Sequence, residues 1–217
     1  MIGKRNLVFL GAPGAGKGTL AAMLAEQAAL PHISTGDIFR AEMKQGTELG
    51  RQAQQYVTSG GLVPDQLVAA MVGSRLAQPD CASGFILDGF PRTLPQADLL
   101  EQTLTGIGRR LDRVVLFEVT RELLLQRLTA RIVCRACGAT FNRMFSPPRK
   151  PGCCDQCGGE LYQRPDDSLA TAEERLRVFA EQTAPLVPYY EQRGLLARID
   201  AGADKADSFQ ALLQVLA

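Results

Sequence analysis

The sequence predicts an α/β fold, a parallel sheet covered by helices on both faces, and three observations carry that reading. Short apolar runs alternate with helical patterns along most of the 217 residues, the order that produces crossover-linked parallel strands. A glycine-rich loop, Gly11 to Thr19, lies between the first apolar run and the first helical pattern. Two stretches of different composition interrupt the rhythm without ending it. Domains cluster near roughly 100 to 200 residues, so residues 1–217 read as one core with two insertions.

Taken in order, Asn6 to Leu10 is an apolar run closed by Gly11, and Thr19 to Ala29 is rich in alanine and leucine, giving strand, loop, helix. Residues 34–63, Ser34 to Val63, look helical with breaks at Gly46, Gly50, Gly60 and Gly61, and offer no strand to the sheet. They are expected to form a small helical insertion. Phe85-Ile86-Leu87 is a strand ending at Asp88, followed by a turn rich in Gly and Pro and a helix from about Pro95 to Gln102. Arg113 to Val119 is the clearest buried strand, and Glu122 to Ile132 places Leu123, Leu124, Leu128 and Ile132 at helical spacing. Residues 130–167 hold Pro147-Pro148, Pro151-Gly152, Gly158-Gly159 and five of the six cysteines, a second insertion. A strand at Leu195 to Ile199 and a helix carrying Phe209, Leu212, Leu213 and Leu216 close the chain.

Hydrophobic residues at 46% and charged residues at 22% exclude a disordered or collagen-like chain. A net charge of +1 excludes a general nucleic-acid coat, so any basic site is local. The 19 Arg against 5 Lys suit bidentate recognition of phosphate, although genome composition produces the same bias. No apolar run approaches the ~18 residues of a membrane span, and Gly11 ends the first apolar stretch after four residues. A soluble, cytoplasmic, monomeric chain is expected, with no membrane or nucleic-acid partner.

The loop Gly11-Ala-Pro-Gly-Ala-Gly16-Lys17-Gly18-Thr19 stands where a phosphate cradle must stand. Its glycines let successive N–H groups face one concavity, the helix N-terminus adds about half a positive charge, and Lys17 can reach terminal phosphates. Gly18 follows Lys17, so the hydroxyl that usually binds magnesium arrives one position late, at Thr19. Asp88 is then the partner expected for a hydrated Mg²⁺ accompanying ATP; a helix cap is its alternative role. Cys134-x2-Cys137 and Cys154-x2-Cys157, 16 residues apart, match a four-thiolate zinc site. Four protein ligands leave no open position, so the zinc is expected to be structural. Its binding free energy of about 10 to 16 kcal/mol would supply the core that an insertion of some 38 residues lacks. Disulfides or an inert segment are the alternatives, and Cys153 and Cys81 are expected to be free thiols. His32, the one histidine, is expected in a partly buried loop.

Ser34-Thr35-Gly36-Asp37-Ile38-Phe39-Arg40 and Asp88-Gly89-Phe90-Pro91-Arg92-Thr93-Leu94-Pro95-Gln96, together with the glycine loop, resemble adenylate kinase over nearly the entire chain, including the long form of its lid. The resemblance implies a P-loop NTPase sheet with 34–63 as the insertion that binds the monophosphate and 130–167 as a zinc-ribbon lid. It implies ATP plus AMP giving two ADP. Carried over residue by residue, Gly14, Ala15, Gly16, Lys17, Gly18 and Thr19 would cradle ATP, with Arg131 at the lid hinge, Thr140 and Phe141 over the nucleotide, and Ala203 near its base. Thr35, Arg40, Gly61, Leu62, Val63, Gly89, Phe90, Pro91, Arg92 and Gln96 would hold AMP, Gln96 reading the adenine edge, with Arg164 and Arg175 also reaching it. Lys17, Asp88, Arg92, Arg127, Arg131, Arg164 and Arg175 would serve the transfer, Arg127, Arg164 and Arg175 matching arginines that converge on the moving phosphoryl group. Pro165 in Arg164-Pro165-Asp166-Asp167-Ser168-Leu169-Ala170 departs from the family's lid exit, as does the loss of acidic residues after it.

An AMP phosphate is already an anion near neutral pH, so such a transfer needs positioning and charge neutralisation and no general base. Two other readings stay open: a kinase for another monophosphate, and a regulatory zinc-ribbon nucleic-acid binder. The second has only Arg135, Arg143, Arg149 and Lys150 as its basic cluster.

Overall fold

The computed structural model describes residues 3–217. Five strands form one parallel sheet in the order β2-β3-β1-β4-β8: β1 (Asn6–Gly11), β2 (His32–Ser34), β3 (Phe85–Asp88), β4 (Arg113–Glu118) and β8 (Leu196–Asp200). β1 and β4 are almost wholly buried and apolar, as strands covered on both faces must be. One layer of core packs Val8, Leu87 and Val114 against helices α4 (Asp65–Leu76), α5 (Leu94–Gly106) and α8 (Leu186–Gln192). The opposite layer packs Leu7, Phe9, Ile86 and Val115 against α1 (Lys17–Ala28) and α9 (Lys205–Leu216). Alternation along each strand sends neighbouring side chains to opposite layers.

Because all five strands run the same way, their C-terminal ends at Gly11, Ser34, Asp88, Glu118 and Asp200 share one edge. The connections leaving that edge carry the functional segments, as expected of open parallel sheets. After β2 the chain forms α2 (Thr35–Gln45) and α3 (Glu48–Ser59), whose N-termini are capped by Ser34 and Thr47. After β4 come α6 (Arg121–Thr129) and then a separate antiparallel sheet, β5 (Arg131–Cys134) flanked by β6 (Thr140–Asn142) and β7 (Leu161–Tyr162). A 3-10 turn at Pro165–Asp167 starts at Pro165, whose missing N–H is harmless there, and leads into α7 (Leu169–Val178) and a π turn at Phe179–Thr183.

Three local expectations need correction. The sheet has a short edge strand at His32–Ser34, so His32 is a strand residue and not a loop residue, and Ser34 ends that strand. Three residues are too few to show a period-2 pattern. Ile132 lies in β5, because α6 stops at Thr129 and the chain re-enters extended structure. The helix after Asp88 runs to Gly106, farther than its sequence signal extends.

Candidate active site

The loop between β1 and α1 uses glycine where no other residue fits. Gly14 and Gly16 have φ of +86° and +89°, and a Cβ at Gly14 would sit 3.0 Å from the Leu124 carbonyl and the Leu128 side chain. α6 therefore closes directly on the loop. Helix α1 begins with no side-chain cap and no acidic residue in its first turn, so its free N–H groups and dipole are open to an external anion. Lys17 Nζ donates to the carbonyls of Gly11 at 2.8 Å and Ala12 at 3.0 Å. Burial lowers its pKa to about 8, against the pull of Asp88 and with the help of Arg92. Asp88, on the neighbouring strand, places Oδ2 3.4 Å from His32 Nε2 and 3.3 Å from where a Gly18 Cβ would be. Glycine at 18 thus leaves the Asp88 carboxylate close to the start of α1. Burial would raise the Asp88 carboxyl, but the His32 contact and the Lys17 charge hold it below the usual range.

Five arginines from four segments gather beside that loop. Arg92 Nε donates to the Gly89 carbonyl at 2.8 Å, and burial followed by the Arg175 charge lowers its pKa to about 10. Arg131, at the start of β5, forks onto Asp167 at 2.8 and 2.5 Å. Arg175 of α7 reaches the carboxylates of Asp166 and Asp167, each at 3.1 Å. Asp167 is 0% exposed; a buried carboxylate shared by two guanidiniums fixes both forks. Arg40 lies 2.5 Å from Asp37, and Arg164 3.6 Å from the same oxygen. Arg164 Nε is buried without a partner, and burial, then the charges of Arg131 and Arg40, lowers its pKa to about 10. Cations crowded against one another in this way favour a polyanionic ligand.

Arg127 does not join the group. Its guanidinium donates to the carbonyls of Ala201 at 2.7 Å and Gly202 at 3.5 Å, and lies 6.0 Å from the Phe145 ring centre. The end of α6 at Thr129 separates it from Arg131, and the open carbonyls after β8 take its donors. It borders the loop that holds Ala203.

A second pocket opens on the other side of Arg92. Thr35, Arg40, Gly61, Leu62, Val63, Gly89, Arg92, Gln96 and Arg175 line it, together with Gly36, Phe39, Val57, Gly60, Val68 and Asp166. Thr35 Oγ1 donates to the Gly89 carbonyl at 2.9 Å, tying α2 to the turn after β3. Phe90 does not line the pocket: its side chain, 1% exposed, is part of the core, and Pro91 beside it is buried too. Thr140 and Phe141 lie on the lid sheet opposite Val133 and Ile132. The sequence assigns no role to Asp37, Asp65, Asp166 and Asp167, which the fold sets against the arginines or Gln96 of this site. Asp37, Asp166 and Asp167 stand near Arg40 and Arg164 in the chain, and the two that are buried, Asp166 and Asp167, require the cation that Arg175 supplies.

The Sγ atoms of Cys134, Cys137, Cys154 and Cys157 lie within 4.8 Å of one another, with the Cys134–Cys157 and Cys137–Cys154 pairs at 3.5 and 3.6 Å. A tetrahedral zinc with bonds of about 2.3 Å sets sulfurs roughly 3.8 Å apart, whereas a disulfide needs about 2.05 Å. The four residues are free thiols and fit a metal. The backbone N–H of Cys137 lowers the Cys134 thiol to about 6, favouring the thiolate that a metal requires. Cys153 is outside the set, with its Sγ 3.4 Å from the Gly158 carbonyl, and Cys81 is buried in the core.

A phosphate cradle at the edge of a parallel sheet, facing a second pocket across a cluster of arginines, defines a P-loop phosphotransferase. The family model described as "Adenylate kinase" matches residues 9–195. The chain is 57% identical to the adenylate kinase of Moorella thermoacetica over 90% of both chains, and 55% identical to that of Geobacter sulfurreducens, also over 90% of both. It is 53% identical to that of Desulforudis audaxviator over 97% of this chain and 99% of the relative. The chain belongs to the adenylate kinase family. It is thus a nucleoside monophosphate kinase, passing a phosphoryl group between ATP and AMP in the service of adenine nucleotide balance. No helix among the described residues is long and apolar enough to cross a membrane.

Proposed function

We propose that the transfer from Mg–ATP to AMP is carried by positioning and charge neutralisation, with ATP on the loop Gly14–Thr19, AMP in the pocket lined by Thr35, Arg40 and Gln96, and the γ-phosphoryl passing between them. The observation that carries this reading is the gathering of Lys17, Arg92, Arg131, Arg164 and Arg175 between the two sites. Lys17 leaves its loop carbonyls for the terminal phosphates. Arg40 and Arg92 hold the AMP phosphate, and Arg131, Arg164 and Arg175 neutralise the oxygens of the group in transfer. When bound with ATP, Mg²⁺ would supply further charge neutralisation at the polyphosphate. Asp88 would hold it through water, and the Thr19 hydroxyl is placed one residue late for direct ligation. Arg127, Ala203, Thr140 and Phe141 bound the region for the ATP base. The segments 34–63 and 130–167 are the moving parts, closing to exclude water that would otherwise accept the phosphoryl group. Zinc held by Cys134, Cys137, Cys154 and Cys157 would give the lid its core. The enzyme works as a monomer on soluble nucleotides in the cytoplasm.

The test is ADP formation from ATP, dependent on AMP, in the protein and in Arg131→Lys. A lysine keeps the charge but cannot fork onto Asp167 and a phosphate together. Turnover is expected to fall by two orders of magnitude or more, with binding of ATP less affected. Turnover near the parent level would remove Arg131 from the transfer.

A further inference from the structure

We infer that Asp65 is a positioning residue that sets which purine the acceptor pocket takes, by holding the Gln96 amide in one of its two flips. The inference rests on the reading above that Gln96 meets the base of the acceptor. Gln96 is 2% exposed and stands in the first turn of α5, where Thr93 caps its N–H. Its Oε1 accepts from the Arg92 backbone N–H at 2.8 Å, and its Nε2 donates to Asp65 Oδ1 at 2.8 Å. Neither partner tolerates the reverse arrangement. A backbone N–H only donates, and an ionised carboxylate only accepts. A flipped amide would set oxygen against oxygen and N–H against N–H, so the chemistry of the partners assigns the two ends.

A locked amide has one N–H and one Oε1 lone pair left to offer, both at fixed places. Arg40 and Arg92 line the same pocket and hold the phosphate end, so the base arrives at Gln96 in one orientation. Adenine carries a donor at position 6 beside an acceptor ring nitrogen, the pattern that an amide matches with one acceptor and one donor. Hypoxanthine and guanine carry an acceptor at position 6 and an N–H at N1, the opposite polarity. Pairing with them requires the flip that Asp65 and the Arg92 N–H both oppose. Sites built around such hydrogen bonds reject mismatched groups by large factors. Asp65 itself does not line the pocket. It is the first residue of α4, which reaches the pocket itself only through the apolar side chain of Val68, so a polar action of Asp65 on the base runs through Gln96.

The experiment compares AMP with inosine monophosphate, which differs from AMP in the 6-substituent and the N1 proton, as acceptors for ATP. In Asp65→Asn the new side chain can accept from or donate to Gln96, so one of the two locks opens. The kcat/KM preference for AMP is expected to narrow about tenfold, mainly through a higher KM for AMP, with KM for ATP and the melting temperature unchanged. An equal loss for both acceptors, or an unchanged ratio, overturns the inference and leaves Asp65 as a first-turn acid of α4. Gln96→Ala separates this outcome from the pocket reading. If Gln96→Ala keeps the full preference, Gln96 does not read the base and both ideas fall. If it loses the preference while Asp65→Asn keeps it, only the lock falls.

Discussion

Lys17 shows how a single side chain ties the site to its ligand. Its ammonium is held by two carbonyls that cannot neutralise it, and burial brings the pKa from 10.5 to about 8. A depressed pKa means that the unfolded chain binds more protons between those values. The contribution to stability is therefore present above pH 10.5 and is lost as pH falls through about 8. Polyphosphate favours the charged form, so ATP binding should take up a proton above pH 8, with affinity falling up to tenfold per pH unit. Calorimetric titration at pH 9 in buffers of different ionisation enthalpy checks this; equal heats in all buffers would mean that Lys17 is already charged there in the free protein, against the lowered pKa. At this scale the sequence is informative about residue type and silent about pairing. Arg92 stands in a motif and Arg131 is placed at the lid hinge by resemblance, yet that Arg131 shares Asp167 with Arg175 appears only when residues 131, 167 and 175 are folded together.

Among the elements, α2 and α3 depend on one contact that the sequence registers only as a helix break. Gly50 lies within α3, and a Cβ there would come within 2.3 Å of the Glu42 carbonyl oxygen and 2.6 Å of the Met43 nitrogen. Both are backbone atoms and cannot swing aside. Gly50→Ala must push the two helices apart, a loss of about 1–3 kcal/mol by the usual scale of overpacking. Since α2 carries Thr35 and Arg40, KM for AMP should rise several-fold while KM for ATP holds. Initial rates with each nucleotide varied, beside a melting curve, decide it; parallel changes in both constants would mean that the insertion does not serve AMP alone. The strong strands β1, β3 and β4 were legible because buried parallel strands are apolar throughout. β2 was not, because its place at the sheet edge is made by pairing with β3 and not by its own three residues.

For the molecule as a whole, the question is how independent the lid is. Its three strands pair only with one another, and the four clustered cysteines sit at the end of β5, in the turn to β6 and in the loop between β6 and β7. Stripping the metal, with its loss verified, should lower the melting of the lid and reduce kcat. KM for AMP should stay nearly unchanged, because no lid strand lines that pocket. An unfolding profile identical before and after chelation would refute a structural metal. By itself the sequence determined the phosphate loop, the alternation that makes a parallel sheet, and the four-thiolate set. Each of these is written in residues close together in the chain, where local geometry and chemistry suffice. Only the tertiary structure decided which arginines share a carboxylate, that Arg127 turns to the carbonyls after β8, and that Asp65 holds Gln96. Those are matters of which distant groups satisfy one another once buried, and a buried charge or amide takes the partner that the fold brings within reach.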